Sequence, residues 1–258
     1  EFYLCLVRSV MPAPELSYAV IIPARYESSR LPGKPLVELC GVPMIVRTYR
    51  QCIQACPAQQ VYVATDDSRI EAVCRAYGIQ VLMTATTCQT GTDRVAECAR
   101  QLAVDVLINV QGDEPVFNPD DLRLMIASLA LYPGEVLNGF CAIDNEQQFR
   151  HASTPKVVMR PDQRLLYMSR AAIPTTKQLG FVRGWRQVCV YAFPRLALAA
   201  FAAHPGKSEL EALEDIEILR FLELGWEVRM LEMSRQSIAV DNPEDVVSAE
   251  AAIRERGL

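Results

Sequence analysis

Short β-branched runs alternate with segments of helical period through the first half of the chain, and this alternation limits the possible folds more than any other feature. Tyr18 to Ile22, Val61 to Thr65 (VYVAT), Gln80 to Met83 and Val106 to Val110 have the length and composition of buried strands. Between them, Pro43 to Ala55 places Met44, Ile45, Tyr49 and Ile53 on one stripe. A second helix runs from a cap at Asp67 or Ser68 to Tyr77, with Gly78 as its stop, and a third is expected over Thr92 to Leu102. Such a beat predicts an α/β protein with a parallel sheet wrapped by helices on both faces and joined by right-handed crossovers.

The beat changes after a helix that begins at Asp120 or Asp121 and runs through Leu131. Residues 136–143, 155–160, 164–170 and 185–193 read as strands, interrupted by a polar helix near 145–151 and a Gly/Lys/Gln-rich connection at 175–184. This region, 136–193, is expected to extend the sheet with antiparallel strands and to serve in dimerisation. Helices return at Arg195–Ala203 and Leu210–Leu224, the latter with an acidic face of Glu211, Glu214, Asp215 and Glu217 and with Gly225 as its stop. A strand at Val228–Met233, a turn at Val240 to Pro243 and a helix from Glu244 to Arg254 follow. One domain is expected over 17–258. Residues 1–16 read as a disordered or non-native extension, with Met11 as a candidate natural start and no basic segment of a secretory signal.

The first strand ends at Pro23, and the loop beyond it, ARYESSRLPGKPL, carries Arg25, Arg30 and Lys34 among Ser28, Ser29 and Gly33. Three cations in a loop also describe a solvated surface. Pro23, Pro32 and Pro35 argue for a fixed path instead, and crevices at strand carboxyl ends are where open α/β sheets bind ligands. The loop reads as a cradle for a triphosphate, although neither G-x-x-x-x-G-K-[ST] nor G-x-G-x-x-G follows this strand. Asp113, in QGDEP after the fourth strand, and Asp241 are candidate ligands for magnesium. That ion takes few protein oxygens, several waters and substrate phosphates. Taken singly, either aspartate also suits a turn or a helix cap.

Composition restricts the function classes. The net charge is −5 and the sequence pI near 5.3, which argues against a nucleic-acid partner while leaving room for a local basic pocket. Half the residues are apolar, enough for a large core, yet no run approaches the length of a membrane span. Nine cysteines without a C-x-x-C pair, and only two histidines, point to reduced thiols in a cytoplasmic protein rather than to disulfides or zinc.

The segments ARYESSRLPGKPL, VATDD, TGTDR, NVQGDEP, SRAAIP and VDNPEDV occur in an order and spacing that resembles the 3-deoxy-manno-octulosonate (Kdo) cytidylyltransferases, or CMP-Kdo synthetases, from Tyr18 to the last helix. The resemblance implies a Rossmann-like nucleotidyltransferase fold and a homodimer that uses Mg2+ to join CTP to a sugar acid, releasing pyrophosphate. It implies that Arg25, Arg30 and Lys34 hold the CTP phosphates and that Asp113 and Asp241 bind the metal. Gln111 would lie between nucleotide and sugar. Thr90, Gly91, Thr92 and Arg94 would follow the cytidine, with Thr65 and Asp66 nearby. Arg170 and Tyr191 match the acceptor side, where a cation would pair with the sugar carboxylate.

Two positions depart from the family's pattern on that side. Gln187 stands where a histidine is usual, and Ile218 replaces the polar residue of L-E-Q-L-R, next to Glu217. These changes are compatible with a modified octulosonate or another 2-keto-3-deoxy sugar acid as acceptor. Two further readings are CMP activation of a nonulosonate such as a sialic acid, and a non-catalytic nucleotide-binding protein on the same scaffold. A sugar transferase with a D-x-D motif is disfavoured, because Gln111-Gly112-Asp113 offers one carboxylate.

Overall fold

Strand β1 (Tyr18–Pro23) is flanked by two parallel partners, and the fold is built outward from it. The computed structural model describes residues 16–28 and 30–258. The expectations for residues 1–15, including Cys5, and for Ser29 lie outside the described residues. After β1 come a short hairpin of β2 (Glu38–Leu39) and β3 (Val42–Pro43), helix α1 (Met44–Ala55), β4 (Val61–Thr65), α2 (Ser68–Ala76), β5 (Gln80–Met83), α3 (Gly91–Gln101), β6 (Val106–Val110) and α4 (Pro119–Ser128). The second half contributes β7 (Val136–Ala142), α5 (Glu146–Arg150), β8 (Lys156–Met159), β9 (Leu165–Ser169), β10 (Trp185–Pro194), α6 (Arg195–Ala203), α7 (Glu209–Glu214), α8 (Ile218–Glu223), β11 (Val228–Glu232) and α9 (Pro243–Arg256).

The main sheet runs β11-β7-β10-β6-β1-β4-β5, with β8 and β9 branching from β10. Pairs β6/β1, β1/β4 and β4/β5 are parallel, as is β7/β11, whereas β10 is antiparallel to both β6 and β7. The 136–193 region therefore supplies antiparallel strands as expected, but its first strand also pairs in parallel with β11. From β1 the chain moves outward to β4 and β5, then returns to place β6 on the other side. The carboxyl ends of β1 and β6 thus form a topological switch point, where doubly wound sheets open a crevice.

Alternation along the buried strands divides the core into two layers. Val20, Ile22, Val63, Ile108 and Val110 face α1, α2 and α4, meeting Ile45, Val46, Ile70, Leu122 and Met125. Ala19, Ile21, Ala64 and Leu107 face α3, α6 and α8, meeting Val95, Cys98, Leu198, Phe201 and Phe221. A third, smaller cluster joins Leu39, Met44, Val116 and Val240 to Ala249 and Ile253 of α9. The hairpin is thereby fixed against the last helix.

The caps follow the side chains that satisfy free backbone N–H groups. Asp67 accepts from Arg69 at the start of α2, and Asn118, rather than Asp120 or Asp121, caps α4. The helix expected over Leu210–Leu224 is two helices, a correction with a local cause. Asp215 takes a left-handed conformation, φ 52°, and ends α7, while α8 begins beyond Glu217. The acidic residues do not share one exposed face: Asp215 is exposed, whereas Glu211, Glu214 and Glu217 are wholly or partly buried. Glu211 is wholly buried against Arg220, and Glu214 accepts from Ser169 and from the Arg170 backbone N–H.

Candidate active site

The loop after β1 is folded back on itself. Gly33, at φ 67°, donates its N–H to the Tyr26 carbonyl at 3.2 Å, and a Cβ there would sit 3.2 Å from the Tyr26 ring. The Arg69 guanidinium covers that ring at 3.3 Å. Residues Lys34–Leu36 then form a single 3-10 turn with Pro35 fixing its start, so Lys34 leaves the loop at a defined point.

Its ammonium lies 2.6 Å from Asp113 Oδ2 and 3.0 Å from Asp241 Oδ1, and Arg30 reaches the same Asp241 oxygen at 3.0 Å. Burial draws the Lys34 pKa down, but the two carboxylates outweigh it and hold the value above that of an ordinary lysine, keeping the group charged.

Both carboxylates are held by backbone geometry. Gly112 packs so tightly that a Cβ would lie 2.8 Å from the Pro23 carbonyl, and its own carbonyl accepts from Thr48 Oγ1 at 3.1 Å. Only glycine permits that approach of the two loops. Val240 N–H donates to the Asp113 carbonyl at 2.9 Å, which brings Asp241 beside Asp113. The N–H groups of Asp241 and Asn242 both donate to Asp245 in the capping box of α9. Glu114 turns inward to Ser237, with its pKa pushed up to about 7 by burial and by the Asp113 charge, so Asp113 is the carboxylate this loop presents.

Two carboxylates converging on one ammonium form a hard-oxygen donor set already arranged around positive charge. Among the described residues no group of three His, Cys, Asp or Glu gathers to hold a metal. Magnesium suits so sparse a set, because it completes its octahedron with water and substrate phosphates.

A cavity of about 910 Å³ opens here, lined by Arg25, Arg30, Lys34, Asp113 and Asp241 on one side. Thr90, Gly91, Arg94 and Gln111 line it at the N-terminus of α3, where Thr90 and Asp93 make a reciprocal capping box. The α3 dipole adds positive potential at this end. Arg94 is fixed by Asp66 at 3.3 Å and by Thr84. Thr65, wholly buried, accepts from the Asp67 N–H behind the wall, and Thr92 donates its N–H to Glu217 Oε2 at 2.8 Å. Glu217 itself lines the cavity. Burial raises its pKa, partly offset by the Thr92 bonds.

The acceptor assignments fare differently. Arg170 is not on the cavity wall: its guanidinium donates to the carbonyls of Glu214 at 2.5 Å, Asp215 at 2.9 Å and Ala152 at 3.0 Å. Gln187 is buried and spends its amide N–H on Asn138, while Ile218 belongs to the core. Tyr191 is likewise buried, stacked on Phe193. Lys207 and Asp215, which carried no assignment from sequence, line the cavity beside Glu217 and lie 2.5 Å apart. The only signal in the sequence was Asp215's place in the acidic run. The helix break that turns it toward the cavity has no glycine to mark it.

A sheet switch point with a cationic loop, a carboxylate pair and a large cavity suits the binding of a nucleoside triphosphate, and the relatives place the chain among the nucleotidyltransferases. The cytidylyltransferase family profile matches residues 19–229. The 3-deoxy-manno-octulosonate cytidylyltransferase of Syntrophotalea carbinolica is 39% identical over 249 residues, covering 93% of this chain and 99% of that protein. The 8-amino-3,8-dideoxy-manno-octulosonate cytidylyltransferase of Shewanella oneidensis is 36% identical over 240 residues, 91% of this chain and 98% of the relative. A solved CMP:2-keto-3-deoxy-manno-octonic acid synthetase complexed with CTP superposes with a TM-score of 0.87 at 34% identity, over 93% of this chain and 99% of that one. The chain belongs to the 3-deoxy-manno-octulosonate cytidylyltransferase family.

Proposed function

We propose that this enzyme transfers CMP from CTP to the anomeric hydroxyl of Kdo, or of a close 2-keto-3-deoxy sugar acid, and releases pyrophosphate. The observation that carries this reading is the meeting of Lys34, Asp113 and Asp241 at the mouth of the switch-point crevice. Arg25, Arg30 and Lys34 bind the triphosphate, and the α3 N-terminus with Gln111 receives the nucleoside. Asp113 and Asp241 hold Mg2+, which neutralises phosphate charge when bound.

The sugar hydroxyl oxygen forms a bond to the α-phosphorus as the bond to the β-phosphate bridging oxygen breaks. Pyrophosphate carries away the electron pair, and the hydroxyl proton passes to a carboxylate or to water. No protein nucleophile is involved. The chain contributes alignment and positive charge at the developing oxyanions.

The protein acts as a cytoplasmic homodimer that supplies an activated sugar for lipopolysaccharide synthesis. Exposed Leu166, Leu179 and Val182 in the 136–193 extension support an interface there, and the eight described cysteines are all free thiols, consistent with a reducing compartment. Among the described residues, no helix is long and apolar enough to cross a membrane. The test is pyrophosphate release from CTP and Mg2+ with a panel of Kdo, 8-amino-Kdo and sialic acid. Turnover with an octulosonate is expected. CTP binding in calorimetry with no pyrophosphate from any acid identifies a non-catalytic nucleotide binder instead.

A further inference from the structure

An acidic sugar brings a carboxylate into the cavity, and a carboxylate leaving water for a partly closed wall needs a cation. Arg170 does not meet that need, since three backbone carbonyls occupy its guanidinium. Arg30 and Lys34 stand on the phosphate side and already share Asp241, and Arg94 is held by Asp66. Of the cations lining the cavity among the described residues, Lys207 alone comes from the wall built by α6, α7 and α8.

The Lys207 ammonium has a partner that can be given up. Asp215 Oδ1 lies 2.5 Å away on a side chain that is 70% exposed. The backbone at this corner is fixed from behind by Arg170, and Glu214 next to it is bound by Ser169 and the Arg170 N–H. The other oxygen, Asp215 Oδ2, lies 3.9 Å from the Arg170 guanidinium, so the exposed carboxylate can leave Lys207 and turn toward Arg170 on an immobile backbone. Lys207 holds the Asp215 pKa below the usual carboxylate range, with Arg170 and Arg25 adding to the effect, and Arg25 lines the same cavity.

Resting on the cytidylyltransferase reading above, we propose that Lys207 binds the carboxylate of the sugar acid and that Asp215 holds the ammonium in place until the acid displaces it. One carboxylate is exchanged for another at a fixed cation. A neutral ketose has nothing to exchange, which makes Lys207 the residue that selects acids.

The same pair would look identical if it only latched the loop before α7 to the corner after it, but the two roles give opposite signs. Under the proposal, Lys207→Met raises KM for Kdo about 10- to 100-fold while KM for CTP stays within about twofold, and Lys207→Arg recovers most of the loss. Asp215→Asn, which removes the competing carboxylate, leaves KM for Kdo unchanged or lowers it. A pure latch predicts that both variants raise KM alike, and that result overturns the proposal, as does an unchanged KM in Lys207→Met. Should the wild-type protein release no pyrophosphate, the functional reading fails. Calorimetric titration of Kdo into the CTP complex then decides Lys207 separately: binding lost in Lys207→Met sustains the assignment, and binding kept, or absent from the wild type, ends it.

Discussion

Lys34 and Asp113 stand 79 positions apart in the chain, and the Lys34 ammonium lies 2.6 Å from the Asp113 carboxylate. One comes from the loop after β1 and the other from the loop after β6, so their contact is made by the pairing of two adjacent parallel strands. Asp113→Asn keeps the size of the side chain and removes its charge. It is expected to lower kcat by about 10²-fold or more with an unchanged circular dichroism spectrum. Lys34→Met should do the same, and near-normal CMP-sugar formation by either variant refutes the phosphate-and-metal arrangement.

On the proposed assignment, Asp113 and Asp241 would bind a divalent ion only weakly without substrate, because two carboxylates leave most of the coordination shell to water and phosphate. Chelation is expected to abolish pyrophosphate release while leaving the melting temperature within about 2 °C, and added Mg2+ should restore turnover fully. Full activity in excess chelator contradicts the assignment.

The most deeply buried ion pair is structural. Arg220 meets Glu211 through two bonds, at 2.5 and 2.8 Å, with the two side chains 2% and 0% exposed. Arg220→Met leaves a desolvated carboxylate behind and should cost about 3–5 kcal/mol in urea unfolding. The double variant Arg220→Met/Glu211→Met removes both charges and is expected to recover a large part of that loss. A double variant no more stable than Arg220→Met shows that packing over Phe201, not the orphaned charge, sets the cost.

Glu135, just before β7, receives Arg229 at 2.9 Å and Arg164 at 2.6 Å. Burial pushes its pKa up, yet the two guanidinium groups outweigh burial and hold it below the ordinary glutamate value. A depressed pKa means the unfolded chain binds the proton more readily. Glu135 therefore stabilises the fold above about pH 4.5, and the contribution fades as pH falls through the folded value. Glu135→Gln should lower Tm by about 2–4 °C at pH 7 and by progressively less below pH 4.5. A gap that stays constant with pH excludes the ionic account.

Local patterns carried most of the architecture. The parallel half of the sheet was legible because buried strands such as VYVAT and VLINV are short, β-branched and bounded by turns. The cradle and the two aspartates were legible because loops at strand ends collect where a parallel sheet reverses its order. What sequence could not show is the break at Asp215, where a residue that tolerates a left-handed turn but is far from committed to one is held there by a bond from Arg170, 45 positions away. Tertiary hydrogen bonds override helical periodicity at this corner, and the Arg170 guanidinium, which the resemblance puts on the acceptor side, spends its donors on the carbonyls that form it. For the same reason no motif marks Lys207: its place on the cavity wall comes from the corner it borders.

The last strand of the sheet ends at Glu232, but Asp241 is placed by the Val240 bond to Asp113 and by the capping box that starts α9. A ribosome making this chain completes the whole sheet before it delivers the second carboxylate. On the proposed roles, the metal site is thus completed only after the last strand of the sheet has been made. A form that stops short of α9 would keep Asp241 but lose Asp245, which accepts from the Asp241 and Asn242 N–H groups, and with it the hold on that carboxylate's backbone.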